Sequence, residues 1–156
     1  MQILKIFMLF GVFIISNYIG KVIAGKFKYR LEELQEMKNA LNIFKTKIKF
    51  TYEPIPEIFA EISNTSTKNI GNIFKIAKEQ MKDKTAGESW KNAIEESKNN
   101  LNDEDKKTLY MLSKMLGESD VEGQVSQIDI TLEFLEKQIK QAEEEKNKNE
   151  DRKSVV

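Results

Sequence analysis

The chain has 156 residues, 40 % hydrophobic and 32 % charged; 25 basic side chains balance 25 acidic ones, and there is no Cys and no His. Zero net charge argues against a nucleic-acid binder, which needs a basic surplus to neutralise phosphates, and the missing Cys and His exclude disulfide scaffolds, thiolate zinc sites, Cys nucleophiles and Ser-His-Asp triads. With only 2 Pro and 7 Gly in a Leu-, Ile-, Lys- and Glu-rich sequence, the length and balance fit one modest all-α domain plus an anchor.

The first element is apolar. Ile6 to Gly20 carries no charge, is interrupted only by Ser16 and Asn17, and is bracketed by Lys5 and Lys21. That run falls short of the roughly 20 residues a bilayer requires. Snorkelling of Lys21 extends it to Ile3–Ala24, with Tyr18 and Lys21 near the interface. A cleaved signal peptide is the rival, because Val22-Ile23-Ala24 loosely resembles a cleavage site; Lys21 and the continuing helical pattern favour an anchor. Lys5 alone precedes the run, whereas Lys21, Lys26, Lys28 and Arg30 follow it, which places the downstream domain in the cytoplasm.

A helix is predicted from about Tyr29 to Phe50, where Leu31, Leu34, Met37, Leu41, Phe44 and Ile48 form one apolar stripe. Pro54 and Pro56 break it, and Pro56 suits the first residue of a short helix carrying Ile58, Phe59 and Ile62. Ser63 to Lys68 reads as a loop, followed by a helix marked by Ile70, Ile73, Phe74, Ala77 and Met81. Thr85 and Glu88 have capping-box spacing before a helix with Trp90, Ala93 and Ile94. Asn102 caps the next, with Asp103, Glu104 and Asp105 in its first turn, Leu109, Leu112, Met115 and Leu116 on its apolar face, and Gly117 as its stop. Ser119 and Glu122 form a second predicted capping box. The last helix repeats Val121, Val125, Ile128, Leu132, Leu135, Ile139 and Ala142 with coiled-coil-like spacing, and the polar stretch from Glu143 to Lys153 is expected to fray or project. Two long helices framing short ones describe an antiparallel bundle.

Candidate sites are few. Gly20 to Phe27 imitates part of a phosphate loop but has Phe27 where Ser or Thr would hold a metal, and no preceding strand. Asp103 to Asp105 point apart on a helix and serve its dipole better than a metal. Trp90, with Ala93 and Ile94, reads as core. The basic side of the first soluble helix, with Arg30, Lys38, Lys45 and Lys49, is the candidate docking surface for an acidic partner or lipid headgroups, and the turn at Pro54 and Pro56 is the next.

Several stretches together resemble the stage III sporulation protein AB family of endospore-forming bacteria. They are the anchor with its basic flank and Leu-rich helix; Phe44 to Ile58, with Thr51-Tyr-Glu-Pro54-Ile-Pro56-Glu57; Glu88-Ser-Trp90-Lys-Asn-Ala93; and Leu116-Gly117-Glu-Ser119-Asp120-Val-Glu-Gly-Gln124 with Ile128 and Leu132. Lys47 departs from the family, which carries an acid there. Family members also end in a second apolar membrane helix, whereas this sequence reaches Lys153-Ser-Val-Val where that helix would begin. The resemblance implies a role in endospore formation, within the complex linking mother cell and forespore. It further implies a helical domain like the cytoplasmic F domains of type II secretion and type IV pilus platform proteins, beside a sporulation AA-type secretion ATPase.

The expectation is an all-α antiparallel bundle with long first and last helices and an N-terminal transmembrane helix. Its parts are an anchor over residues 1–25, a cytoplasmic platform domain over 26–145 and a polar tail over 146–156. The expected function is a non-enzymatic membrane platform component of the sporulation channel. It docks the ATPase and other channel proteins and has no catalytic residue, cofactor, metal, nucleic acid or small-molecule substrate. A secreted or peripheral coiled-coil adaptor with a cleaved signal peptide is the alternative.

Overall fold

The apolar segment and the first soluble helix are one element. In the computed structural model, which describes residues 1–154 apart from the Lys153 side chain, α1 runs unbroken over Gln2–Phe50. No Pro lies within it, and its three glycines stand singly at 11, 20 and 25, so the helix loses only about 1 kcal/mol of propensity at each. Four short helices follow, α2 (Ile55–Thr65), α3 (Lys68–Gln80), α4 (Ala86–Glu96) and α5 (Asp103–Tyr110), then a 3-10 turn at Met111–Lys114 and the long α6 (Val121–Ser154). The described residues contain no strand.

Helices α1 and α6 pack antiparallel, as ion pairs mark out: Arg30 meets Glu145, Lys38 meets Glu136 and Lys45 meets Asp129. Between them Leu34, Met37, Leu41, Phe44 and Ile48 face Ile128, Leu135, Ile139 and Ala142, all buried. The predicted α6 seam is rotated slightly. Leu132 is half-buried, while Thr131 and Gln138 are buried. The cause is a second neighbour: α6 also packs on α5 and the 3-10 turn, where Gln138 Nε2 donates to Thr108 Oγ1 at 2.5 Å. The centre of its buried face therefore lies between both contacts.

The short helices close the core around four aromatic rings. Phe59 stacks edge-on against Phe44 and Phe74, at centroid distances of 5.1 and 5.0 Å, and Trp90 lies 5.2 Å from Phe74. Such pairs add about 0.5–1.5 kcal/mol each beyond burial. Trp90 is fully buried, and its Nε1–H donates to the Leu109 carbonyl at 2.8 Å, so the indole leaves no orphan donor.

Element ends follow the capping rules with three corrections. Helix α2 starts at Ile55, making Pro56 its second residue, and continues to Thr65, so the predicted loop shrinks to residues 66–67. Asn102 and Asp105 form a complete capping box, whereas Thr85 supplies one half of its own by accepting from the Glu88 amide at 3.2 Å. At α6 the cap is Asp120, not Ser119: Asp120 Oδ1 accepts from the Gly123 amide at 2.8 Å, while Ser119 Oγ donates back to the Met115 carbonyl. Asp120 immediately precedes the helix, which puts Gly123 at the third helical amide, where a cap acts. Gly117, at φ +75°, turns the chain in the left-handed conformation that a helix stop favours. Gly87 is required by close approach, since a Cβ there would stand 1.9 Å from the Ser113 carbonyl oxygen. The polar stretch expected to fray or project is helical through Ser154, with Glu145 on Arg30 and Lys146 3.9 Å from Glu150. Residues 155–156 of that predicted tail lie outside the described residues.

Two stability outcomes follow from this architecture. Trp90→Ala should cost about 3–5 kcal/mol in denaturant unfolding, and Trp90→Phe distinctly less, because it keeps a ring in the aromatic cluster and loses only the hydrogen bond to the Leu109 carbonyl. Asp120→Ala should cost about 1 kcal/mol, and Ser119→Ala much less, in the same unfolding measurement.

Candidate functional site

Two regions stand out from the core. The first is the apolar half of α1. Phe7, Phe10, Phe13, Ile14, Tyr18 and their neighbours are all exposed, and none of this stretch is buried against the rest of the chain. So large an apolar surface marks an interaction site. From Gln2 to Ala24 the helix is about 35 Å long at 1.5 Å per residue, enough for the roughly 30 Å hydrocarbon core of a bilayer. Asn17 Nδ2 donates to the Phe13 carbonyl at 3.0 Å, so its amide is bonded within the helix. The phosphate-loop imitation at Gly20 to Phe27 lies inside this same helix and forms no loop.

The second region is the junction where α1 enters the bundle. Arg30, expected on the exposed basic side, is 6 % exposed and turned inward. Its Nε and Nη2 donate to both oxygens of Asp105 at 2.8 and 3.0 Å, and its Nη1 donates to Glu145 at 3.0 Å. The hydrogen bonds to Asp105 outweigh desolvation and raise the Arg30 pKa above its ordinary value, so the guanidinium stays charged. Asp105 is fully buried and also accepts from the Asn102 amide at 3.0 Å, so one carboxylate serves both the ion pair and the α5 cap. One turn further along, the buried Glu33 accepts from the Asn69 side chain at 2.7 Å and from the Asn100 amide at 2.6 Å. Nearby, Glu36 accepts from the Thr67 amide and hydroxyl. These carboxylates tie the starts of α3 and α5 to α1. Nothing in the sequence spacing signals a contact between residues 75 positions apart.

The four basic candidates are not gathered on one free face. Arg30 points inward. Lys38 reaches Glu136 at 2.9 Å and Lys45 reaches Asp129 at 2.7 Å, which ties both to α6. The hydrogen bond from Lys38 lowers the Glu136 pKa. Lys47 pairs with Glu61 at 2.8 Å and Glu53 at 3.3 Å; the Glu61 hydrogen bond, chiefly, raises its pKa. Of the four, Lys49 remains exposed without an ion pair among the described residues, its Nζ 5.4 Å from the Phe50 ring centre.

Lys49 falls instead beside the second candidate, the turn with exposed Pro54 and Pro56. Two residues not expected there complete the tip. Phe50 is 68 % exposed and Tyr52 79 % exposed, and Tyr52 has a left-handed backbone at φ 56°. For a bulky side chain that conformation costs about 1–2 kcal/mol. The only sequence signal for it is the lack of Gly after a long helix. Along α1 this tip stands about 40 Å from Ala24.

The family model described as Stage III sporulation protein AB matches residues 5–152, nearly the whole chain. A solved structure of a stage III sporulation protein AB (SpoIIIAB) superposes with a TM-score of 0.69 at 18 % identity, over 76 % of this chain and 96 % of that one. At that identity the superposition supports the fold. No curated protein matches the chain.

Removing one partner from the junction should be expensive. Arg30→Met leaves Asp105 buried without its cation and should cost about 3–5 kcal/mol in thermal or denaturant unfolding. The double change Arg30→Met with Asp105→Leu should recover a large part of that loss.

Proposed function

The chain belongs to the stage III sporulation protein AB family, and on that premise we propose a non-enzymatic membrane platform that takes part in endospore formation. In this reading α1 crosses the mother-cell membrane facing the forespore. The excess of Lys21, Lys26 and Lys28 over Lys5 supports a cytoplasmic bundle. The observation that carries the reading is the continuity of α1: one helix is both exposed apolar segment and central strut of the bundle. A helix without a Pro kink gives no hinge between them, so the bundle is held at a fixed attitude to the apolar half of α1.

The docking surface for the sporulation AA-type secretion ATPase is assigned in this proposal to the membrane-distal tip. Lys38 and Lys45 are engaged with α6, and Arg30 is buried. Lys49, Phe50, Tyr52, Pro54 and Pro56 are exposed together. A Tyr kept in a left-handed conformation, where Gly would sit without strain, supports a use for its side chain. Neighbouring channel-complex proteins and the membrane are the other partners in this reading.

The test is Tyr52→Gly, alone and with Lys49→Glu. Tyr52→Gly should leave the fold intact, or stabilise it by about 1 kcal/mol by removing the backbone strain. The double variant should weaken binding to the purified ATPase at least tenfold, as loss of an aromatic anchor does, and should lower spore yield. Wild-type affinity and spore counts in the double variant would remove the tip as docking surface. Failure of the full chain to sediment with membranes after alkaline washing would remove the anchor.

A further inference from the structure

The hairpin of α2 and α3 leaves a groove along its exposed side. The floor is small: Ala60, Ser63 and Gly71 line it. A Cβ at Gly71 would stand 2.8 Å from the Ser63 carbonyl oxygen, so the two helices meet there through backbone. The rim is basic. Lys68, Lys75 and Lys78 border a volume of about 340 Å³ against one acid, Glu79. None of the three has an ion-pair partner among the described residues, in contrast to Arg30, Lys38, Lys45 and Lys47, each neutralised by a nearby acid. The Asn64 and Asn72 side chains in the same lining make no hydrogen bond among the described residues, unlike those of Asn69 and Asn100, which are held by Glu33.

We propose that this groove binds an acidic helical segment of a protein partner. Lys68, Gly71, Lys75 and Lys78 fall at i, i+3, i+7 and i+10 on α3, which is one stripe of a helix. The glycine removes the one side chain of that stripe that would hold a neighbour away. The space takes side chains and not a whole helix, which is about 10 Å across, so the partner lies on the rim and points its acids inward. A stripe of carboxylates with the same spacing meets the three ammonium groups in either direction, and the Asn64 and Asn72 amides add neutral donors. Position selects a protein over a headgroup. The near end of the groove is at Thr67, which Glu36 holds, and Glu36 stands about 18 Å along α1 from Ala24. That exceeds the roughly 8–10 Å over which a charged surface acts at physiological salt. This last step rests on α1 crossing the membrane; the groove itself does not. None of the tip residues Lys49 to Pro56 lines it, so it is separate from the docking surface proposed above.

The experiment uses the full chain in mild detergent micelles and reads the anisotropy of a fluorescent Ala-rich helical peptide with Glu at i, i+3, i+7 and i+10. Two further peptides serve as controls, one with Gln at those positions and one with the same Glu content spread around the helix. Wild type should bind the striped peptide about tenfold more tightly than either control, as several weak surface ion pairs together allow. Lys75→Gln with Lys78→Gln should lose most of that preference, about fivefold. Lys82→Gln with Lys84→Gln removes the same charge from exposed residues just past α3, and should keep it. Equal affinity of wild type for all three peptides overturns the groove, and that comparison needs no variant to fold. Equal loss in both variants overturns it in favour of diffuse attraction. Doping the micelles with phosphatidylglycerol should change the affinity no more than doping with phosphatidylcholine does. Selective loss with phosphatidylglycerol overturns the protein segment in favour of a headgroup.

Discussion

Arg30 sits where the exposed apolar half of α1 becomes the half buried in the bundle, and the contacts it makes there tie α1 to α5 and α6. Taking a guanidinium and a carboxylate out of water costs several kcal/mol per ion. The cost is met because Arg30 donates to both Asp105 oxygens and to Glu145, and Asp105 is bonded again by the α5 cap. The net gain in stability of such a cluster is small compared with the penalty for misplacing one member. Its effect is on geometry. A register slip of α6, a misplaced α5 or a rotated α1 would each strand a buried charge. The longest stretches of the chain are therefore set against one another by one side chain close to the apolar half of α1.

The rest of the bundle follows more ordinary rules, and those are the rules a sequence expresses. The α1 stripe from Leu34 to Ile48 and the aromatic positions Phe44, Phe59, Phe74 and Trp90 are legible because helical periodicity is local, and each is buried as expected. The Asn102 cap and the Gly117 stop are legible for the same reason. What local spacing hides depends on partners far away in the chain. Arg30 reads as part of a solvated basic face, because its place in the chain says nothing of Asp105. Leu132 reads as core, because the spacing of α6 alone cannot reveal that Thr108 and Gln138 draw that helix toward α5. The cap at α6 falls to Asp120 over Ser119 by one residue, the scale on which helix ends are hardest to read.

The docking surface moves for a related reason. Basic residues on one helix make a positive face only where the neighbouring helix leaves them alone, and α6 offers Glu136 and Asp129 at the matching heights. Lys49 lies level with Val125 by that register and pairs with no acid among the described residues, and Phe50 and Tyr52 beside it are exposed. The exposed candidate is thus the tip and not the length of the α1–α6 pair.

The tip and the apolar half of α1 are joined by one uninterrupted helix, and that has a mechanical consequence. A straight helix without Pro bends only gently, so a tip about 40 Å along α1 from Ala24 keeps a defined distance and direction relative to the apolar half. In the proposed reading, the tilt and rotation of the apolar half then decide where Tyr52 points, because mismatch alone specifies neither.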